Sequence, residues 1–169
     1  MPATAVHDRI TLISAAALAP AAVLLPSENR WISGALVVGA HLLSGLLFSC
    51  DLDVDSNEYR RWGPLRLIWF PYMRMVLHRS WLSHGLVIGP LLRLIYFALF
   101  IDLAVVLGAL GAQAAGLGGI AWLGWWHRFW FGLIAGHARF TADFLAGFVL
   151  GGAAHTIPDW LSTGVKRLI

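Results

Sequence analysis

Four apolar stretches, residues 10–25, 31–50, 86–110 and 140–157, run the length of this 169-residue chain and leave it few ways to fold in water. A helix crosses a bilayer core with ~20 apolar residues, within a range of roughly 17–25. The first stretch, closed by Pro26, is short for that task; local thinning or burial against other helices would accommodate it. Composition agrees, with 59% hydrophobic and 12% charged residues and a mean hydropathy of +0.72, where a soluble domain has about 45–50% apolar and roughly 25% charged. The expected fold is therefore all-α, an integral membrane helical bundle of about four transmembrane helices plus interfacial helices. No repeat or low-complexity run divides the chain, so residues 1–169 read as a single domain. The first stretch is not read as a removable signal, because apolar segments continue to the end and no small-residue cleavage pattern follows it.

Two further segments are apolar but unlike spans. "RRWGPLRLIWFPYMRMVLHRS" (residues 60–80) is broken by Pro64 and Pro71 and studded with arginine, which predicts short interfacial helices. "IAWLGWWHRFWFGL" (residues 120–133) is dense in tryptophan, a residue that favours the headgroup level. The fourth span carries "GFVLGGAA", whose small residues permit close helix packing.

Four crossings place the polar residues. If His7 lies on one side, the second span returns the chain there with "DLDVDSNEYRR", and the chain stays through His78 and His84. The third span leaves, and the fourth comes back with "HTIPDW". His7, Asp8, Asp51, Asp53, His78, His84, His155 and Asp159 then share one membrane face. That side also carries Arg9, Arg60, Arg61, Arg66, Arg74, Arg79, Lys166 and Arg167, against Arg30, Arg128 and Arg139 on the other. The positive-inside rule makes it the cytoplasmic side.

Each motif has a bland reading beside a chemical one. In "DLDVD", alternate residues of an extended segment point the same way, so Asp51 and Asp53 can face one cation; a solvated acidic loop is the alternative. In "HRSWLSH", His78 and His84 are six apart and do not share a helix face. A turn at Trp81–Ser83 would let both converge on an ion; packing at the interface is the alternative. In "HTIPDW", His155 and Asp159 are one helical turn apart and reach one place, unless Pro158 breaks the helix. Asp8 in "HDR" suits a helix N-terminus, whereas His7 has no such role. The one cysteine, Cys50, excludes an internal disulfide. His41 is about three turns from Asp51, ~15 Å at 1.5 Å per residue, and reads as a hydrogen-bonded bundle residue. His127 and His137 read as interfacial. Arg93, inside the third span, needs a partner. Asp102 is nine residues along the same helix, ~13 Å away, so Asp143 on another helix is the preferred one.

The quoted blocks together, "HDRITL", "SCDLDVDSNEYRRWGPLRLIWFPY", "HRSWLSHG" followed by "RLIY", and "HTIPDW", resemble a family of uncharacterised membrane metal-binding proteins found widely in cyanobacteria. The pattern is more loosely similar to inner-membrane metal-dependent hydrolases. There an N-terminal histidine, an aspartate after the second span, an H-R-x-x-[ST]-H-S block and a late histidine–aspartate pair recur. Here Gly85 stands where that wider group often has serine, and Cys50 where proline precedes the aspartates. Neither departure removes a ligand.

One function class that follows is a metal-dependent hydrolase of the bacterial inner membrane or thylakoid, with its site facing the cytoplasm. His7, Asp51, His78, His84, His155 and Asp159 would hold one or two divalent ions. Zinc is the first choice, with manganese and iron as alternatives. Asp53 and Arg79 would be catalytic, and Arg60 and Arg61 would bind an anionic group. The expected partners are membrane lipid and a lipid-like or phosphorylated small-molecule substrate, and no nucleic acid. A second class is a non-enzymatic metal-binding or assembly subunit of a larger membrane complex. A third is a small transporter, motivated by Arg93, Asp102 and Asp143 within spans.

Overall fold

The computed structural model describes residues 4–24, 26–27 and 29–166, with side chains through Ser162. Arg167 and the Lys166 side chain, counted above for orientation, lie outside the described residues. Among the described residues the chain is all helical. Four long helices, α1 (Thr4–Val23), α2 (Arg30–Leu46), α6 (Ile88–Ala114) and α8 (Ala138–Lys166), are joined by shorter ones. Three of these, α3 (Asn57–Arg61), α4 (Phe70–Met75) and α5 (Trp81–His84), fall between α2 and α6, and α7 (Gly119–Phe131) precedes α8.

Two helices are long and apolar enough to cross a membrane, α6 and residues Ala138–Ser162 of α8. The other two expected spans do not reach that standard. α1 begins at Thr4, so its first turns hold His7, Asp8 and Arg9. α2 stops after 17 residues at Leu46 because the chain turns into a 3₁₀ helix at Cys50–Asp53.

The centre of the bundle is the contact of α8 with α2. Gly147 and Gly151 lie one turn apart on α8 and press on the backbone of α2. A Cβ on Gly147 would sit 2.1 Å from the Val37 carbonyl oxygen, and one on Gly151 equally close to that of His41. Only glycine admits such an approach. His155 and Asp159 continue the same four-residue spacing along α8, so the glycines that seat the helix also set the depth of those two side chains. On α1, His7, Thr11, Ala15 and Ala22 are buried, a helical stripe facing the other two helices.

An aromatic cluster props up the segment between α2 and α6. Phe48 meets Trp62, Trp69, Phe97 and Phe148 edge-on, with ring centroids 5.2–5.3 Å apart, the geometry that aromatic quadrupoles favour. Residues 60–80 form a 3₁₀ helix at Gly63–Trp69 and then α4, and Pro64 and Pro71 stand in their first turns. The prolines start these pieces, as their fixed φ and missing N–H allow. Residues 120–133 fall in α7 and the π-helical turn Gly132–Gly136. α6 and α7 form a hairpin pinned by Asp102, which accepts indole N–H bonds from Trp126 at 2.8 Å and Trp130 at 2.9 Å. Only 6% of the apolar window of α6 is buried within the chain, against 39% for α8. Its outward face is therefore a broad apolar surface, the kind that lipid or a partner covers.

Candidate metal centre

Four segments deliver side chains to one end of the bundle. From α1, the His7 ring stacks on His155 of α8, with centroids 3.9 Å apart and planes within 7°. His7 Nε2 lies 3.2 Å from Asp159 Oδ1. α8 runs unbroken through Pro158, so His155 and Asp159 stay on one face as their spacing implies. A proline inside a helix omits one hydrogen bond, and here the close seating on α2 holds the helix across that gap.

The aspartate run is not extended, contrary to the alternation expected of it. It forms the 3₁₀ turn Cys50–Asp53, in which three residues make a turn and positions two apart diverge. Asp51 therefore faces the histidines, with Oδ2 3.6 Å from His155 Nε2 and Oδ1 3.9 Å from His84 Nε2. Asp53 is buried and turns the other way, to His78, whose Nδ1 lies 2.8 Å from Asp53 Oδ1. The same 3₁₀ turn carries Cys50 to the centre, fully buried, with Sγ 3.9 Å from Asp51 Oδ1 and from Asp159 Oδ2.

His78 and His84 do converge, and the reversal lies at Arg79 rather than at Trp81–Ser83. Arg79 has φ +61°, a left-handed conformation uncommon outside glycine. Ser80 then caps α5, accepting from the Ser83 amide. The rings of His78 and His84 end 5.2 Å apart. The Arg79 side chain is exposed, and its backbone supplies the turn.

The hydrogen bonds around Ser83 bear on the His84 tautomer. The Ser83 hydroxyl lies 3.2 Å from the Ser80 carbonyl and 3.3 Å from that of Leu77. With that proton on a carbonyl, its oxygen accepts from His84 Nδ1–H at 2.8 Å, which is the tautomer a metal at Nε2 requires. His84 Nε2 is buried and without a partner. It faces Asp51 Oδ1 and Asp159 Oδ2, each 3.9 Å away. In that tautomer a cation among the three groups would relieve the repulsion between the Nε2 lone pair and the two carboxylates. Both nitrogens of His155 are likewise buried without a partner. Donors bound to one tetrahedral ion at 2.0–2.3 Å lie ~3.3–3.8 Å apart, close to the separations here. Candidate ligand atoms of Cys50, Asp51, His155 and Asp159 fall within 4.8 Å of one another, and so do those of Asp51, His78 and His84. Asp51 is common to both groups, so the donor set fits one ion or two adjacent ions bridged at Asp51.

The electrostatics match. Burial, winning over the pull of Asp53 and Asp51, holds the His84 imidazole below its ordinary value; it is neutral, the form a metal requires. Burial works against the charge of Asp51, but His155, His84 and His78 outweigh it and hold the carboxyl below its usual range. Burial, then the charge of Asp51, pushes the Cys50 thiol well above its ordinary value.

The arginines are deployed otherwise than expected. Arg60 grips Asp55 through Nε at 2.9 Å and Nη2 at 2.8 Å. Arg61 grips Asp8, with Nη1 2.9 Å from Oδ1, and the Leu46 carbonyl at 3.0 Å. Both guanidinium forks expected to take an anion are thus occupied by carboxylates of the chain, and Asp8 serves Arg61. Arg93 does not pair with Asp143, which is held by Arg139 at 3.1 Å. Asp143 lies twelve residues before His155 on α8, ~18 Å from the centre, whereas Arg93 is in the second turn of α6 at the centre's end. Fully buried, Arg93 donates from Nη1 to the Ser83 carbonyl at 2.8 Å. His41 Nε2 sits 2.9 Å from Ser14 Oγ and 3.3 Å from the Thr11 carbonyl, a hydrogen-bonded bundle residue. His127 and His137 are exposed.

Sequence reasoning left Cys50 out of the site. Its signal was adjacency, since it directly precedes Asp51, and weighing it only as half of a disulfide concealed that. The whole chain, residues 2–169, matches the family of uncharacterized metal-binding proteins known as DUF2227, and the chain belongs to that family. No curated protein and no solved structure matches it.

Proposed function

We propose that this member of the uncharacterized metal-binding family is a membrane-embedded, metal-dependent hydrolase. Its substrate is a phosphoester or lipid-like molecule met at the cytoplasmic face of a bacterial membrane. Asp51, His84, His155, Asp159 and Cys50 would hold the metal, with His7 and His78 at the edge of the set. The observation that carries the reading is the buried, unpartnered His84 Nε2 set beside two carboxylates. Imidazole with thiol and carboxylate favours zinc, and manganese and iron remain open to the same donors. A bound divalent ion supplies Lewis-acid polarisation of a phosphoryl or acyl oxygen and acidification of water.

The chain's own residues do the rest. Asp53 accepts the Nδ1 proton of His78 and Ser83 that of His84, which turns each Nε2 toward the centre. Such outer partners fix ring orientation and ligand basicity. His78 and Asp51 keep 33% and 19% side-chain exposure while His84, His155 and Asp159 are sealed. One side of the set is thus open, as catalytic sites are and structural sites are not. The exposed apolar face of α6 supports membrane embedding. It equally favours a second reading, a metal-binding subunit docked through α6 in a larger membrane complex.

Elemental analysis of purified protein, wild type beside His84→Ala and Asp51→Ala, tests the site. Stoichiometric metal in the wild type and its loss in both variants is expected; unchanged content in both sinks the proposal. Metal-loaded protein inactive on phosphoester, pyrophosphate and acyl substrates, and copurifying with a stable complex, would move the reading to the second.

A further inference from the structure

Arg93 is the largest polar side chain buried without a charged partner. Its exposure is 0%, and no carboxylate lies within salt-bridge distance of it among the described residues. Nη1 is used by the Ser83 carbonyl, while Nε and Nη2 have no partner. These two are not a random pair. They form one edge of the guanidinium, the edge with which Arg60 grips both oxygens of Asp55 in this same chain. A buried ionised donor left unmade is costly, and two on one edge define a two-oxygen receptor.

The position of that edge gives it meaning. Ser83, whose carbonyl Arg93 holds, bonds His84 Nδ1 through its hydroxyl. The guanidinium therefore stands one residue behind the imidazole whose Nε2 faces the metal site. Beside it the Tyr72 hydroxyl, from α4, is also buried without a hydrogen-bond partner. Burial raises the Tyr72 phenol, while the Arg93 charge and a loose side-chain interaction with Arg93, outside hydrogen-bond geometry, pull it back, so this hydroxyl stays protonated and able to donate.

We infer that the Nε–Nη2 edge of Arg93, with the Tyr72 hydroxyl, is the receptor for the terminal phosphoryl group of the substrate at the adjoining metal centre. A carboxylate would use the edge alone, whereas a phosphoryl group has a third oxygen for the tyrosine. Complete burial limits the ligand to a small anion or the tip of a longer molecule, which would enter from the side left exposed at His78 and Asp51. This assignment rests on the metal-site reading above, and it moves the anion-binding role from Arg60 and Arg61, whose forks are filled, to Arg93.

Calorimetric titration of zinc-loaded protein in detergent with inorganic phosphate, acetate and a short-chain phosphatidate tests it, with zinc content measured on each preparation. The wild type binds phosphate more tightly than acetate. Arg93→Lys, which keeps the charge and a donor for Ser83 but offers no two-donor edge, binds phosphate about 10–100-fold more weakly. Tyr72→Phe gives a smaller loss, and both keep their zinc. Phosphatidate bound more tightly than phosphate, and weakened by the same variants, assigns the phosphoryl group to a lipid; equal affinity assigns a soluble ester. Phosphate binding unchanged in Arg93→Lys, acetate bound as tightly as phosphate, or zinc lost from Arg93→Lys overturns the receptor role, the last making Arg93 a residue that merely positions His84. Wild-type protein that holds no zinc fails the metal reading itself, a distinct outcome visible before any anion is added.

Discussion

Gly151→Ala is the sharpest perturbation of the link between helix packing and the site. The added Cβ would sit 2.1 Å from the His41 carbonyl oxygen and 2.9 Å from its carbon and Cα, where ordinary contact begins at 3.4 Å. The obstacle is backbone, so no side chain can rotate away, and α8 must withdraw from α2 by about 1.3 Å. Overpacking of this kind costs about 1–3 kcal/mol. Replacing a helical glycine by alanine returns roughly 1 kcal/mol of propensity, so the net loss is about 0–2 kcal/mol. The larger effect falls on the metal. His155 is one turn beyond Gly151, and ligand distances tolerate only about 0.2 Å, so zinc affinity should drop by at least ~10-fold. Gly39→Ala on α2 is the control, since nothing lies within 4 Å of its Cβ, and it should keep or raise stability and leave zinc affinity alone. Chelator competition and thermal unfolding in detergent read both quantities. Wild-type zinc affinity in Gly151→Ala would refute the argument that the glycines seat the ligands.

Asp53→Asn removes the carboxylate that accepts from His78 Nδ1; zinc affinity should fall about 10–100-fold, and an unchanged value in chelator competition would show His78 to lie outside the site. Cobalt substituted into the wild type should give a sulfur-to-metal charge-transfer band in the near ultraviolet that Cys50→Ser abolishes; a wild-type spectrum without it removes Cys50 from the ligands. The metal-free protein should lose stability as pH falls below 6.5, the ordinary value of an imidazole. Unfolded His84 binds a proton there while the buried folded ring, held lower, does not. Asp51, held below 3.8 when folded, keeps its contribution above that value and loses it as pH falls through the folded one. His84→Gln should flatten the pH 5–6.5 part of the unfolding curve, and an unaltered slope there would assign the dependence to other groups.

What the sequence by itself determined is local. Apolar run length set the helical class, and of the four spans it implied, α6 and α8 are long and apolar enough to cross a membrane. Four-residue spacing put His155 and Asp159 on one face of α8, because 3.6 residues make a turn whatever surrounds it. Segment order brought His7, the aspartate run, the His78–His84 block and the late pair to one end of the bundle. Tertiary structure decided which charged group meets which. Asp51 and Asp53 part company because the chain coils into a 3₁₀ turn where it leaves α2, a choice enforced by the aromatic cluster beneath it. Arg60, Arg61 and Arg93 look alike in sequence, yet two meet carboxylates and one meets a carbonyl with an edge to spare. Cys50 enters the site only because its neighbour does. Hydrogen bonds and ion pairs act over 3–4 Å, far less than the uncertainty in where an unpacked helix end will lie, so partner choice emerges only once α8 is seated on α2.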